Sequence, residues 1–174
     1  AFKHAWIANK HDGVASVVTF VATLGFAPHL DKGIMIGALL ALGLYLYSTM
    51  KPRVAILGRY ADGTLRDIRV HDLPQDNRIV VLRFDGSLYF ANVSYFEEAV
   101  LEALCARPDV KYFLVVGDAI NSLDASGEEM LHQLVSRLKD NGVTLVFSGL
   151  KRQIHGVMQR TGLFGHIGAE NIHP

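Results

Sequence analysis

The sequence has little cysteine and no excess of charge of either sign. Among 174 residues, 17 are Lys or Arg and 17 are Asp or Glu, so the formal net charge is zero. No dense basic block occurs, and the electrostatic basis for a nucleic-acid partner is therefore missing. The single cysteine, Cys105, excludes an internal disulfide and fits a reducing compartment. It lies between Leu104 and Ala106, so we expect a packed thiol and not a nucleophile.

Motifs of common nucleotide and metal sites are also missing. No Gly-x-Gly-x-x-Gly follows a predicted strand, no phosphate-loop lysine motif occurs, and no two histidines have metal-ligand spacing on a predicted helix. Residues 148–151 join a strand to a helix, where they could contact an anion or a nucleotide phosphate, or form a plain turn. Asp118 at a strand end has no visible partner base or nucleophile. We therefore predict no catalytic residue, no metal site and no cofactor.

Two long apolar segments occupy most of the first fifty residues. They cover residues 14–27 and 33–50, contain no charged residue, and are separated by a polar turn at 28–32. Each is somewhat shorter than the ~20 residues that a perpendicular transmembrane helix needs. Two interpretations follow: a transmembrane hairpin of short helices, or the apolar core of a soluble helical pair.

Charge placement favours the membrane. Basic residues flank the two segments on both outer sides, namely Lys3, Lys10, Lys51, Arg53 and Arg59. In the turn between them, Asp31 offsets Lys32. Positive residues collect on the cytoplasmic side of short membrane loops, so we expect both ends of the hairpin in the cytoplasm. Gly37 and Gly43 would allow close packing against further membrane helices.

Residues 51–174 have the pattern of a soluble α/β domain. Apolar runs predict strands at 54–57, 65–70, 79–84, 112–116 and 143–147. Capping boxes of Ser94 with Glu97 and of Ser126 with Glu129 predict two helix starts. A third helix ends at Gly162. Strands that alternate with helices predict a small α/β sandwich around a mixed, largely parallel sheet.

Four segments together resemble the sulfate permease (SulP) family of anion transporters. Residues 51–59 resemble the junction between the last membrane helix and the STAS domain of that family, and residues 82–92, with Phe-Asp-Gly, resemble its signature. Residues 120–127 match the Asp-x-Ser/Thr-Gly loop of STAS domains, and residues 170–174 resemble the point just before the last helix of that domain. The order of these segments is more specific than any one of them, and the resemblance spans essentially the whole chain.

The resemblance implies the carboxy-terminal part of a secondary active transporter for sulfate, bicarbonate or dicarboxylate-type anions. Residues 1–50 would be the last two transmembrane helices of a plasma-membrane homodimer, and residues 51–174 a cytoplasmic STAS domain that lacks its last helix. The starting Ala1 and the final Pro174 are interpreted as cuts. The anion would bind in upstream membrane helices, so this chain alone would not transport, and the STAS domain would serve assembly and regulation.

The loop formed by Asp124, Ala125, Ser126 and Gly127 is the candidate regulatory site. It opens a predicted helix, where free backbone N–H groups favour anions. In soluble STAS proteins that antagonise anti-sigma factors, the residue directly after this Asp is a phosphorylated Ser. Ala125 stands there in this sequence, so we do not expect a phosphorylation switch at that position. We expect the Ser126 hydroxyl to cap the helix, with a phosphorylation site as the second interpretation.

Two other functions remain open. A soluble partner-switch regulator could use the same STAS fold, although the apolar hairpin and Ala125 count against it. A small nucleotide-binding α/β enzyme is disfavoured because the phosphate loop is missing.

Overall fold

A computed structural model describes residues 10–26 and 29–174. Lys3, residue 27 of the first apolar segment and residue 28 of the predicted turn lie outside the described residues. The chain divides into two compact units, residues 1–50 and 51–174. Each unit is built from its own helices or strands.

The described part of the first unit contains two helices, α1 (Lys10–Gly25) and α2 (Leu30–Met50). Among the described residues, one helix is long and apolar enough to cross a membrane, over Asp31–Met50, while the apolar part of α1 is shorter. The prediction of two short helices is wrong for α2, since the helix continues through Asp31 and Lys32. Asp31 lies in its first turn, where a negative charge complements the helix dipole. The 21 residues of α2 give a length of about 31 Å, close to the hydrocarbon thickness of a bilayer.

Two glycines of α2 face two threonines of α1. A Cβ atom added at Gly37 would lie 2.4 Å from Thr19 Oγ1, and one added at Gly33 would lie 2.6 Å from Thr23 Cα. The hydroxyls of Thr19 and Thr23 donate to backbone carbonyls four residues earlier, both at 2.7 Å. Gly37 therefore allows α1 and α2 to pack closely against each other. We had expected it to pack against membrane helices outside this pair. Gly43 has no described atom within 4 Å of its Cβ position.

The second unit is built on one six-stranded sheet in the order β2-β1-β3-β4-β5-β6. The strands are β1 (Val54–Arg59), β2 (Leu65–Asp67), β3 (Ile79–Phe84), β4 (Tyr112–Val116), β5 (Thr144–Ser148) and β6 (Ile172–His173). Strands β3 to β6 are parallel, and β1 is antiparallel to both of its neighbours. The predicted mixed, largely parallel sheet is confirmed.

Helices connect the parallel strands. They are α3 (Ile68–His71), α4 (Val93–Cys105), α5 (Ala125–Asp140), α6 (Arg152–Thr161) and α7 (Leu163–Ile167), followed by a 3-10 turn at Ala169–Asn171. The third predicted helix ends as expected, because Gly162 adopts φ 83° after Thr161. The extended stretch predicted for 65–70 is wrong beyond Asp67. The Asp67 side chain accepts the Arg69 N–H at 2.9 Å and starts α3 there.

One core lies between the sheet and helices α4 to α7. Alternate strand residues point into it, including the fully buried Phe84, Phe113 and Phe147. The helices contribute apolar residues at helical spacing, such as Phe96 and Leu134. This packing fixes the carboxyl ends of the parallel strands at one edge of the sheet, where the loops of the candidate site lie.

Two local predictions for α4 are wrong. Ser94 does not cap the helix, because α4 begins at Val93 and Asn92 occupies the N-cap position. Cys105 is exposed and not packed, since it is the last residue of α4 and lies on its outer side. The buried positions of this helix are instead Phe96, Val100 and Ala103.

The chain enters the second unit at the same edge of the sheet. Because β1 runs antiparallel to β3, its first residue Val54 pairs with Phe84, the last residue of β3. Just before β1, the Arg53 carbonyl accepts the Asp85 N–H at 2.9 Å. A Cβ atom at Gly86 would lie 2.9 Å from Pro52 Cβ. The entry segment is therefore packed directly against the loop that follows β3.

Candidate functional site

Asp124 is the central residue of the candidate loop. It precedes α5, and its Oδ1 accepts the Gly127 N–H at 2.8 Å, the bond of a helix N-cap. Its Oδ2 accepts the Phe90 N–H at 2.9 Å, from the loop after β3. The Asp124 carboxylate therefore caps α5 and also holds the loop after β3 against the start of that helix. Backbone donors to an ionised carboxylate form hydrogen bonds that are stronger than neutral ones.

Backbone bonds join the same two loops. Leu88 N donates to the Ser122 carbonyl at 3.0 Å, and Asp124 N donates to the Leu88 carbonyl at 3.2 Å. These bonds form an isolated parallel bridge between Leu88 and Leu123. The Ser87 hydroxyl accepts the Ser122 N–H at 3.1 Å. The loop after β3 and the loop after β4 therefore behave as one hydrogen-bonded layer.

Asn92 is a structural residue of this site that the sequence analysis missed. It is 1% exposed, and its side chain is satisfied within its own loop. Oδ1 accepts the Tyr89 N–H at 3.1 Å, and Nδ2 donates to the Ser87 carbonyl at 2.8 Å. The signal was present, because Asn side chains commonly bond to the backbone of their own turn. The Ser94 and Glu97 spacing predicted a different start for the same helix, and Asn92 was therefore overlooked.

Gly127 is required by close packing. It is buried in the first turn of α5, and a Cβ atom there would lie 2.8 Å from Leu123 Cδ1 and 2.9 Å from the Leu88 carbonyl oxygen. Real Cβ atoms essentially never approach so closely. The glycine of the Asp-x-Ser-Gly pattern therefore allows the two loops to meet.

Ala125 and Ser126 are exposed on the first turn of α5. The prediction that Ser126 caps this helix is wrong, because Asp124 holds the cap position and bonds to Gly127. Aspartate is at least as good an N-cap as serine, so the earlier of the two residues takes the role. Ser126 instead presents its side chain to solvent at the second helical position.

The strand-to-helix turn at 148–151 has a structural explanation. Gly149 adopts φ 68°, and a Cβ atom there would collide with the Asp118 carboxylate. The Lys151 ammonium donates to the Asn121 side-chain oxygen, which joins this turn to the loop after β4. This partner is a neutral amide oxygen, so the Lys151 charge is not neutralised, but the positive φ of Gly149 and its contact with the Asp118 carboxylate explain the turn without a bound phosphate.

Two histidines that are distant in sequence lie together, His132 on α5 and His166 on α7. The rings of His132 and His166 are 4.9 Å apart between centroids. His132 Nε2 is 2.9 Å from Glu128 Oε1, and His166 Nε2 is 3.0 Å from Ser136 Oγ. Within residues 10–26 and 29–174, no group of three or more His, Cys, Asp or Glu side chains has the arrangement of a metal site.

Asp67, the last residue of β2, is a carboxylate with a shifted pKa that contacts the entry segment. Donation by the Arg69 backbone N–H lowers the pKa of Asp67, and the Arg53 guanidinium at 3.1 Å lowers it further, while burial acts in the opposite direction. Asp67 therefore joins the entry residue Arg53 to the start of α3. The candidate site as a whole is a set of hydrogen-bonded loops at the capped start of α5.

Comparisons with known proteins agree on this fold. A family model described as "STAS domain" matches residues 71–174. The murine Solute Carrier 26 family member A9 anion transporter, solved in the inward-facing state, superimposes with a TM-score of 0.86 at 18% identity, covering 99% of this chain and 28% of that chain. At that level of identity the likeness concerns the fold.

Curated relatives match over both units. A protein of Arabidopsis thaliana named "Probable sulfate transporter 4.2" is 28% identical over 177 residues, which covers 95% of this chain and 26% of that protein. "Sulfate transporter 4.1, chloroplastic" of the same plant is 25% identical over 177 residues, with the same coverage. The chain spans about a quarter of the length of these relatives.

Proposed function

The chain belongs to the STAS domain family, and we propose that it forms the carboxy-terminal part of a membrane-embedded secondary transporter of inorganic or carboxylate anions. The proposal rests on one observation, namely that curated sulfate transporters match both units of this chain. Similarity to sulfate transporters extends over 95% of the chain and therefore includes the apolar helices as well as the domain.

Helices α1 and α2 would lie in the bilayer as a hairpin, with both outer ends in the cytoplasm. The length of α2 and its exposed apolar side chains support this location, as do the basic residues Lys51 and Arg53 that follow it. We place α1, which is shorter, beside α2 through the contact of Gly33 and Gly37 with Thr23 and Thr19. The plasma membrane is the proposed location.

The STAS domain would be cytoplasmic and would serve assembly and regulation, without catalysis. A homodimer is proposed on the resemblance to the SulP family. The substrate would bind in membrane helices other than α1 and α2. The loop from Asp124 to Gly127 is proposed as the regulatory site, because Ala125 and Ser126 are exposed on a helix start that is bonded to a second loop.

Membrane extraction separates this proposal from a soluble STAS regulator. The protein should stay in the membrane fraction after carbonate washing and dissolve only in detergent. Deletion of residues 1–50 should release residues 51–174 into the soluble fraction. Recovery of the undeleted protein as a monodisperse species without detergent would support the soluble regulator instead.

A further inference from the structure

A groove of the second unit runs beside α4, on the face of the sheet that carries the helices. Its volume is about 250 Å³. The floor contains Val54 and Ile56 of β1, which are half-buried and lie opposite Phe84 and Leu82 of β3. Helix α4 forms one wall, and Arg69 of α3 reaches the groove from the other side. The first part of β1 therefore presents a partly exposed apolar surface between two helices.

Charges of both signs border this groove. They belong to α4, to α3 and to the residue that follows the C-cap of α4, namely Glu98, Glu102, Arg69 and Arg107. Glu98 and Glu102 are four residues apart on one helix, where like charges repel each other. Among the described residues, none forms an ion pair with Glu98, Glu102 or Arg107. Glu97, which faces α5, does pair with Arg137 there. The groove thus combines an apolar floor with charges that the described fold leaves without ionic partners.

The order of these charges makes the surface complementary to its own copy. Glu98 and Arg107 are nine residues apart, about 13 Å along the axis of α4. A second α4 that lies antiparallel to the first, centred between residues 102 and 103, brings each Glu98 to Arg107 of the partner subunit. The same arrangement brings Ala99, which lines the groove, to Ala106 of the partner subunit. A two-fold axis produces such reciprocal contacts, and most homodimers have this symmetry.

We propose that a second copy of the chain occupies the groove, with the two α4 helices antiparallel and Glu98 of each copy paired with Arg107 of the other. The inference rests on the proposed homodimer and names a surface through which it forms. A partner that carried charge of one sign would repel half of the border, whereas a second copy supplies both signs. The zero net charge of the chain adds no long-range repulsion between copies.

The contact should be weak by itself. Helix α4 has 13 residues, so an interface along it covers roughly 20 Å by 10 Å. A stable interface in solution needs about 800 Å² from each partner. We therefore expect the groove to act together with other contacts of the homodimer, and a covalent trap is the suitable measurement.

Disulfide trapping on the whole chain in detergent tests the antiparallel register. In a Cys105→Ser background, tagged Ala99→Cys protein is mixed with untagged Ala106→Cys protein and oxidised. We expect several times more mixed dimer than either protein forms alone, because like positions would lie about 10 Å apart along the axis, too far for a disulfide. Asp140→Cys, exposed at the end of α5, measures random collision. Equal thermal unfolding confirms that the variants are folded.

Charge reversal separates a specific contact from proximity. Glu98→Arg in both mixed proteins should lower the yield of mixed dimer roughly threefold to tenfold, because it places like charges together at two symmetric positions. Arg107→Glu should have the same effect. The two reversals combined should restore the yield, since the ion pair then forms with its signs exchanged. A combined variant that traps no better than the single reversals overturns the proposed pair.

A mixed dimer no more abundant than the Asp140→Cys dimer also overturns the inference. If light scattering then still shows a dimer, the homodimer stands and this surface is wrong. A monomer would contradict both. Complete protection of Ala99→Cys from maleimide, without any mixed dimer, would show that a different segment or protein fills the groove, and this result overturns the inference as well.

Discussion

The carboxylate of Asp124 accepts the backbone N–H of Phe90 at 2.9 Å, across 34 positions of sequence. The other oxygen of the same carboxylate caps α5 through Gly127. One side chain therefore holds the start of a helix and the loop that contacts the entry segment. Any change at Asp124 should affect both.

The first prediction concerns this double role. Asp124→Ala should lower the free energy of unfolding by about 2–3 kcal/mol, because it removes a helix cap and a charge-assisted bond between loops. Ser126→Ala should change it by less than about 0.5 kcal/mol, since Ser126 is exposed and not the cap. Thermal and urea unfolding of the detergent-solubilised protein measures both. A larger loss for Ser126→Ala than for Asp124→Ala would restore serine as the cap.

The second prediction concerns the close contact at Gly127. Gly127→Ala should destabilise the domain by about 1–3 kcal/mol, because the new methyl group would press on Leu123 and on the Leu88 carbonyl. Gly165→Ala is the matched control, since its Cβ position has no described atom within 4 Å. It should be neutral or slightly stabilising. Equal melting temperatures for the two variants would contradict the packing seen at the loop.

The predictions from sequence succeeded where one pattern dominated a segment. Continuous apolar runs located β3, β4 and β5 within one residue, although the expectation of burial on both faces is wrong: alternate residues of these strands are buried and most of those between are half-buried. The end of α6 was also predicted, since a glycine can adopt the positive φ that Gly162 shows. These features depend on residues that are adjacent in sequence.

The errors arose where another residue, nearby or distant in sequence, formed the hydrogen bond that the local pattern had assigned elsewhere. Ser126 has the spacing of a capping box, but Asp124 lies two residues earlier and is bonded in addition to Phe90. The strand predicted through Val70 stops early because Asp67 caps a short helix. A bond between residues 34 positions apart has no signature in local sequence, so the layer formed by the two loops could not be predicted.

The third prediction concerns acid stability. The folded-state pKa of Asp67 lies below its usual value, so its carboxylate stabilises the fold at pH above about 4. That contribution should be lost as the pH falls through the folded-state pKa. Asp67→Asn should therefore flatten the decline in stability between about pH 5 and pH 2. Unfolding midpoints measured across this range provide the test.

Arg53→Ala serves as the control for Asp67. The Arg69 backbone N–H is the main cause of the lowered pKa, and the Arg53 guanidinium is a smaller one. Arg53→Ala should therefore keep most of the pH dependence. If Arg53→Ala and Asp67→Asn flatten the profile equally, the ion pair dominates and the helix cap does not.

The fourth prediction concerns the orientation of the hairpin. In a Cys105→Ser background, Asp31→Cys should react with an impermeant maleimide in intact cells, because we propose that this end of α2 faces outward. Lys51→Cys, at the other end of α2, should react only after the cells are opened. Labelling of position 31 from the cytoplasmic side alone would reverse the assignment.

Anion uptake tests the central claim most directly. The full-length protein that contains this chain is expressed in cells that lack their own sulfate uptake, and labelled sulfate, bicarbonate and a dicarboxylate are offered in turn. We predict saturable uptake of at least one of these anions above cells that carry the empty vector. Correctly inserted, folded protein that takes up none of the three would contradict the assignment as an anion transporter.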